Sequence, residues 1–564
     1  MMRYYILATD YDGTLARDGK VSDQTVDKLK QLKLTGRLLV LVTGREMKYL
    51  TADFPGYKIF DHIVAENGAV LYEVASGKEQ LLGDPPDPHF IRSLEEHGVG
   101  PISIGKVIVA TWEPHEMAVL QVIKQLGLER QVIFNKGAVM ILPSGINKAR
   151  GLKGLLSKLH YSMHNTVAVG DAENDGTMLE MAECGVAVSN ALPSVKGIAD
   201  FTTSADHGNG VMELIDLLMK DDLKQIAPKL SKHCLELGNH KDGSLFSISP
   251  YRSGILLSGV SGGGKTTFTL AIIESLIRKS YQFCLIDPEG DYLNLEGALV
   301  IGNETSIPPV EELIPLLNEP EQNLVFCILS IPLVERPVFF TRFLMAFSKL
   351  RYDLGHPHWL LLDEAHHLIP AAAGPDTNPL PEDFQNFILI STSPDHLSVQ
   401  ALSKIGMIMV IGSNTAYPIK QYCKVLRMDV PSIPVVSETE ICVWDIEKKT
   451  APIAIQYFWP QKLLKRHKRK YAHGNMDSNS FIFTGIENKL NLVAPNLMMF
   501  KHIAEGIDVD SWEFHLHRKD FSNWFRNKVH DENLAKISEE VENIRDAALS
   551  KKLILDYIGE NYTY

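Results

Sequence analysis

Between about residues 1 and 217 the chain alternates short apolar runs with stretches whose apolar residues recur at helical spacing. The runs RYYILATD, RLLVLVTG, NTVAVGD and GVAVS each end in a polar or glycine-rich turn, as buried parallel strands joined by helices do. A second region of this kind spans about 250–460, through GILLSG, QFCLID, HWLLLDE, FILIST and GMIMVIG. Both predict α/β architecture with a mainly parallel sheet. The joining segment, LMKDDLKQIAPKLSKHCLELGNHKDGSLFSISP, predicts a helix, a turn and a short strand. From Ser480 onward, aromatic residues at helical spacing predict a small α-rich domain. No internal repeat or low-complexity tract interrupts these regions.

The length of 564 residues, at roughly 150 per domain, fits three or four domains. Hydrophobic residues at 45% and charged residues at 22% exclude wholesale disorder. The formal charge of −13 excludes a protein coated in basic surface, though not a local basic groove. One run, between Gln461 and Met476, holds six Lys or Arg and no acid; it reads as a solvated linker, with nucleic-acid contact the alternative. Six cysteines lie far apart with no CxxC pair, which predicts reduced thiols in a cytoplasmic protein. The N-terminus runs straight into a strand, so no signal peptide is expected. No apolar stretch approaches about 18 residues, so no membrane partner is expected either.

Asp10-Tyr11-Asp12-Gly13-Thr14 follows the first apolar strand directly. Two carboxylates one residue apart face a common point if the chain turns at Gly13. One can then attack phosphorus while the other moves a proton, provided a cation suppresses their repulsion. Thr43 ends the next strand with a hydroxyl, Lys148 brings a cation to a helix start, and Asp171, Glu173, Asn174 and Asp175 cluster after a later strand. All fall at carboxyl ends of parallel strands, where crevices form in open α/β sheets. In order and content, DYDGT, VTGR, AENGAVLY, the Lys148 segment, GDAENDGTM and VSNALPSVKGIADFTTSADHGNGV resemble the haloacid dehalogenase (HAD) phosphatases, specifically their Cof-like branch. The resemblance implies Asp10 as nucleophile, Asp12 as general acid and then base, and Thr43 and Lys148 as phosphoryl ligands. It implies Mg²⁺ on Asp10, the Asp12 carbonyl and Asp171, supported by Asp175 and Asn174. It also implies a mobile α/β cap, here residues 82–146, which favours small sugar or carboxylic-acid phosphates; Arg45 and Asn67 then face either substrate or solvent.

Gly259-Val260-Ser261-Gly262-Gly263-Gly264-Lys265-Thr266 fits GxxxxGK[ST] between a strand and a helix that opens with Thr266 and Thr267. Its glycines let backbone N–H groups point at a phosphate of ATP, Lys265 neutralises phosphate charge and Thr266 offers a Mg²⁺ ligand. The strand HWLLL ends in Asp363 and Glu364, which suit a water-mediated Mg²⁺ ligand and an activator of the attacking water. CLIDPEGDY, DEAHHLIP and LISTSPDHLSVQALSKIGMIMVIG resemble the HerA side of the HerA/FtsK-like P-loop ATPases. That resemblance implies a γ-phosphate sensor at Ser391 or Thr392, Asp287 and Glu289 near the site, and a hexameric homo-oligomer acting on DNA. An arginine finger would come from a neighbour, with Arg336, Arg342 and Arg351 as candidates. A phosphatase stands where those relatives carry an N-terminal β-barrel, which leaves translocation open.

The tail resembles a small domain of unknown function with an HLxxxDFSxWFR-like core; His515, His517 and His530 are too irregularly spaced to favour a metal over packing. The expected order is therefore a Rossmann-like HAD core (1–81 and 147–217) with its inserted cap, a P-loop ATPase (218–460), a basic linker (461–479) and an α-rich end (480–564). The leading expectation is a bifunctional phosphatase and ATPase. The alternatives are a polynucleotide kinase-phosphatase and a nucleotide-gated oligomeric scaffold without ATP turnover.

Overall fold

Strand Ile6–Asp10 is buried along its whole length and lies at the centre of an eight-stranded sheet. Thr166–Gly170, Cys184–Ala187 and Phe201–Thr202 lie on one side of it. Leu38–Val42, His62–Ala65, Val70–Glu73 and Glu79–Leu81 lie on the other. Pairing is parallel from Phe201–Thr202 through His62–Ala65 and antiparallel beyond. The apolar faces bury against helices such as Asp23–Lys33, Lys148–Lys158 and His207–Asp221, whose buried residues recur at helical spacing. The computed structural model describes residues 2–227, 230–260, 262–372, 380–412, 414–437, 439–461, 471, 476, 479–529, 531–542 and 546–562.

Between the Glu79–Leu81 strand and helix Lys148–Lys158 the chain leaves this sheet and builds a second, four-stranded antiparallel one from Ser103–Ile104, Val109–Trp112, Ala138–Pro143 and Arg130–Asn135. Helices Pro88–Glu96 and Glu116–Leu126 bury Phe90, Leu94, Val119 and Val122 with it, giving this cap a core of its own.

The second lobe is an eleven-stranded mixed sheet. Its parallel part runs Ile405–Ile411, Gly254–Ser258, Phe387–Ser391, Trp359–Leu362, Phe283–Asp287, Leu324–Cys327 and Leu299–Ile301. Antiparallel strands Glu440–Asp445, Ile453–Tyr457, Leu235–Asn239 and Leu245–Ile248 extend one edge, so the joining segment supplies a hairpin rather than a single strand. The C-terminal unit packs Phe481, Phe500, Trp512, Phe521, Trp524 and Phe525 among short helices and a two-stranded sheet. His515 is buried there, its Nδ1 2.9 Å from Asp520 and its Nε2 accepting from the Thr484 and Gly485 amides, so it packs and orders a turn. His517 is exposed; His530 and most of the basic run lie outside the described residues. All six cysteines are free, and no described helix is long and apolar enough to cross a membrane.

The two lobes meet at the amino ends of their strands. Tyr5 Oη, just before Ile6–Asp10, donates to the carbonyl of Tyr352, and Asn165, just before Thr166–Gly170, donates to that of Gly355. Between them lies a buried carboxylate, Glu183, which takes Arg3 at 2.5 Å, the His164 ring at 2.7 Å and the Tyr281 hydroxyl at 2.7 Å. His164 Nε2 then meets the Lys279 carbonyl at 2.9 Å, and Tyr251 Oη donates to the His164 carbonyl. Because both crevices form at carboxyl ends of strands, this seam turns them away from each other. Two five-residue strands laid end to end set them on the order of 30 Å apart.

Burial opposes the Glu183 charge, yet Arg3 and His164 outweigh it and bring its carboxyl down to about 2 from an ordinary 4.5. A lowered carboxyl pKa stabilises the fold above the unfolded value, and the gain is lost as pH falls through the folded one. Glu183→Gln is therefore expected to be less stable than the native chain at neutral pH by about 3 kcal/mol. The gap should close as pH falls from about 4.5 to about 2; urea unfolding across that range measures it.

Candidate active sites

Parallel register sets the first site. Asp10 pairs with Val42 and Thr9 with Val169, so Asp10, Thr43 and Asp171 emerge at one end of the sheet. Gly13 makes the turn after Asp10 at φ +87°, and a Cβ there would lie 2.4 Å from Asp171 Oδ2, so the turn and the close approach both need glycine. Asn147 caps helix Lys148–Lys158 by accepting from the Arg150 amide, which fixes Lys148 as its first residue. The Lys148 ammonium, 2% exposed, lies 2.6 Å from Asp10 Oδ1 and 2.6 Å from Asp175 Oδ1. Asp175 Oδ2 accepts from the Asp171 and Ala172 amides at 3.0 Å each, so Asp175 orders the loop that carries Asp171. Thr14 Oγ1 donates to Asp171 Oδ1 at 3.0 Å.

Asp10, Asp171 and Asp175 each bring one carboxylate oxygen within 4.8 Å of the others, and all are buried. Hard oxygen donors at this density fit a magnesium-type cation. Burial, and then the Asp175 charge, push the Asp10 carboxyl up to about 8 against the pull of Lys148, and burial raises Asp171 as well. The loop amides take one Asp175 oxygen and Lys148 the other, whereas Lys148 takes Oδ1 of Asp10.

The Asp12 side chain lies outside that cluster. Arg45 donates to both its oxygens, from Nε and Nη2, at 2.7 Å each, and uses Nη1 on Asp53. Arg45 is thus a clamp on Asp12 rather than a free substrate ligand. Asn67 is buried and accepts from Asn174 Nδ2 at 3.0 Å, which joins the AENG and GDAEND loops. Thr43 is buried, with its hydroxyl accepting from the Arg45 amide.

Two neighbours escaped the motif reading. Glu66 takes the amides of Lys106, Val107 and Ile108 on its carboxylate at 2.8–3.0 Å and so fastens the cap to the core. Lys136, at the tip of a cap hairpin, reaches Asp171 Oδ2 at 2.6 Å. The sequence signal for Lys136 is faint: an Asn-Lys-Gly turn between QVIF and AVMIL.

In the second lobe, Ser258 pairs with Ser391 and Leu362 with Leu389. Gly259, Thr392 and Asp363 therefore emerge at one sheet end, with the Thr392 strand between the other two. Positive φ at Gly262 (76°) and Gly264 (98°) curls the loop into helix Lys265–Arg278. Gly263 and Thr266 are half-buried and Thr267 is buried. Lys265 Nζ donates to the Gly259 carbonyl at 3.0 Å. Asp363 is buried, which pushes its carboxyl well above the usual range, with Asp287 and Glu364 adding to the effect. The Glu364 backbone is left-handed at φ 37°, and its carboxylate lies 3.4 Å from His366, whose ring also faces Ser391 at 3.4 Å.

Asp287 serves its own loop instead of the crevice. Its carboxylate accepts the amides of Glu289, Gly290, Asp291 and Tyr292 and shapes that turn. Arg351 is buried and donates to the Gln385 and His358 carbonyls, while Arg336 is buried against Ile331 and Glu289. Both are held within their own chain. Arg342 is exposed and pairs with Glu311.

Because Asp10 retains a proton up to about pH 8, a divalent cation entering the first site must displace it. Apparent Mg²⁺ affinity is expected to rise between about pH 6 and 8, by up to about tenfold per pH unit. Calorimetric titration at several pH values measures this; a flat profile contradicts it.

The family of haloacid dehalogenase-like hydrolases matches residues 7–94 and 103–215. A phosphoglycolate phosphatase of Natronomonas pharaonis is 29% identical over 224 residues, 37% of this chain and 96% of that protein. One of Halobacterium salinarum is 30% identical over 219 residues, 37% of this chain and 95% of that protein. Among solved structures, a haloacid dehalogenase-like hydrolase from Bacteroides thetaiotaomicron shares 20% identity at a TM-score of 0.34, covering 38% of this chain and 99% of its own. Through residues 7–215, then, the chain belongs to the haloacid dehalogenase-like hydrolases and carries a phosphatase domain of that family.

Proposed function

We propose that the first lobe is a Mg²⁺-dependent phosphomonoesterase for small phosphorylated acids or sugars, joined to a second lobe that hydrolyses ATP. The observation that carries the first half is Lys148, buried between Asp10 and Asp175 at the sheet end that Lys136 of the cap also reaches. In this reading an Asp10 carboxylate oxygen bonds to phosphorus as the ester P–O bond breaks, and Asp12, turned from Arg45 toward the site and protonated from solvent, gives that proton to the departing oxygen. The Asp12 carboxylate then takes a proton from water; that oxygen bonds to phosphorus, the Asp10–phosphorus bond breaks and the Asp10 carboxylate is restored. Lys148 and Thr43 hold the phosphoryl oxygens throughout. A magnesium ion on Asp10 and Asp171 supplies the charge neutralisation that lets a dianion approach a carboxylate. The similarity to phosphoglycolate phosphatases supports a small carboxylic-acid ester as substrate.

The second half rests on the glycine loop, Lys265 and Thr266, with Asp363 and Glu364 at the same sheet end. Gly259, Gly262, Gly263, Gly264, Lys265, Thr266 and Thr267 would cradle ATP, Asp363 would hold its Mg²⁺ through water, and Glu364 would orient the attacking water. Thr392 or Ser391 would face the γ-phosphate. The close approach of the cap to the acid cluster favours small esters over the nucleic-acid ends of a kinase-phosphatase.

Asp10→Asn is expected to lower phosphoglycolate hydrolysis by about a thousandfold or more while ATP hydrolysis persists. Lys265→Ala and Glu364→Gln should do the reverse, and both rates are read from phosphate release on the full chain. Native ATP turnover equal to that of Glu364→Gln would favour a nucleotide-gated scaffold. Rapid release from a 3′-phosphorylated oligonucleotide alone would favour the kinase-phosphatase. Sedimentation with ATP, with and without duplex DNA, tests the ring and the DNA partner that the resemblance implies.

A further inference from the structure

The turn Glu66-Asn67-Gly68 is built into the first site from three sides. Its Glu66 amide donates to the Arg45 carbonyl at 3.1 Å, and its Asn67 amide donates to that of Thr43 at 3.0 Å. A Cβ on Gly68 would overlap the Asn147 carbonyl, next to Lys148, so only glycine allows that approach. The Asn67 side chain takes Asn174. All three residues have positive φ, at 50°, 56° and 103°. For Glu66 and Asn67 that conformation is costly and persists only where the surroundings fix it. The loops of the site therefore dictate where the Glu66 carboxylate points.

It points into the cap. The Gly105 amide donates to the Ile108 carbonyl at 2.9 Å, and this turn brings the next three amides to one side. Lys106 donates to Glu66 Oε1 at 2.9 Å, and Val107 and Ile108 donate to Oε2 at 2.8 and 3.0 Å. Successive amides converging on one anion make a cradle that uses both carboxylate oxygens. A Cβ on Gly105 would lie 2.8 Å from Glu66 Cδ, so the cradle also needs a glycine. Val107 and Ile108 are buried in the apolar cluster of the core rather than in that of the cap. The strand that follows, Val109–Trp112, pairs Ala110 with Met140, so the cradle and the hairpin over the site belong to one sheet. That hairpin sits directly on the site: Met140 Sδ is 3.5 Å from Asn67 Nδ2, and Lys136 reaches Asp171. Lifting it parts Glu66 from its three amides. Resting on the phosphatase reading above, we infer that Glu66 is the latch of the cap and, through the cap, a specificity residue that sets the largest ester the site admits.

Two variants open the latch from opposite sides. Glu66→Gln replaces one acceptor oxygen with an NH₂ group that faces an amide N–H. Gly105→Ala pushes the turn away and leaves Glu66 itself unchanged. In the full chain with Mg²⁺, each is expected to lower kcat/KM for phosphoglycolate about tenfold, chiefly through KM, and to raise that for the bulkier 1-naphthyl phosphate. Hydrogen–deuterium exchange without substrate should show the Lys106, Val107 and Ile108 amides losing protection in both variants, while strand Leu38–Val42 keeps its own. Equal losses on both esters would make Glu66 a general structural support and overturn the inference. Unchanged protection of the three amides would overturn it too. A native protein that hydrolyses neither ester overturns the phosphatase reading, whereas the exchange measurement still tests the latch.

Discussion

A lysine buried between two carboxylates organises the first lobe. Lys148 cannot be left without Asp10 and Asp175, because an uncompensated charge at 2% exposure costs several kcal/mol. The constraint runs both ways. Asp10 and Asp175, with Asp171 beside them, could not share so small a volume as anions without a cation among them. Lys148 must therefore start its helix at that point, Asp175 must turn back onto the Asp171 and Ala172 amides, and the strands must hold their register. The residues that satisfy this balance are those that would bind and cleave a phosphate ester.

The seam between the lobes follows a different rule. It is lined with histidines, tyrosines and arginine, and Glu183 is its hub, taking Arg3, His164 and Tyr281. Such a seam joins the lobes while pointing their crevices outward. If the second lobe binds nucleotide as proposed, its effect on ester cleavage would pass through contacts such as those at Lys279 and Gly355.

Much of this order is legible in the sequence because parallel strands place motif residues at one end whatever the loops do. DYDGT, VTGR, the Lys148 segment and GDAEND converge for that reason, as do the glycine loop, Asp363 and Thr392. What stays hidden depends on side-chain direction across long separations. Nothing local says that Arg45 turns to Asp12, that Asp287 closes on its own loop, or that Arg351 is buried against carbonyls. Lys136 was hidden for a related reason: only the fold of the cap brings its hairpin onto Asp171, 35 residues away in sequence. The single strand expected before Gly254 became a hairpin because the sheet edge offered Ile453–Tyr457 as a partner.

A covalent bond between Asp10 and phosphorus is the central step of the proposed reaction. Acid quenching of the full chain during turnover of phosphoglycolate, followed by peptide mass analysis, detects it directly. One phosphoryl group on the peptide containing Asp10, absent from Asp10→Asn, is the expected result. Phosphate released at the native rate with no phosphopeptide, or with the label on another residue, would contradict the assignment of Asp10 as nucleophile.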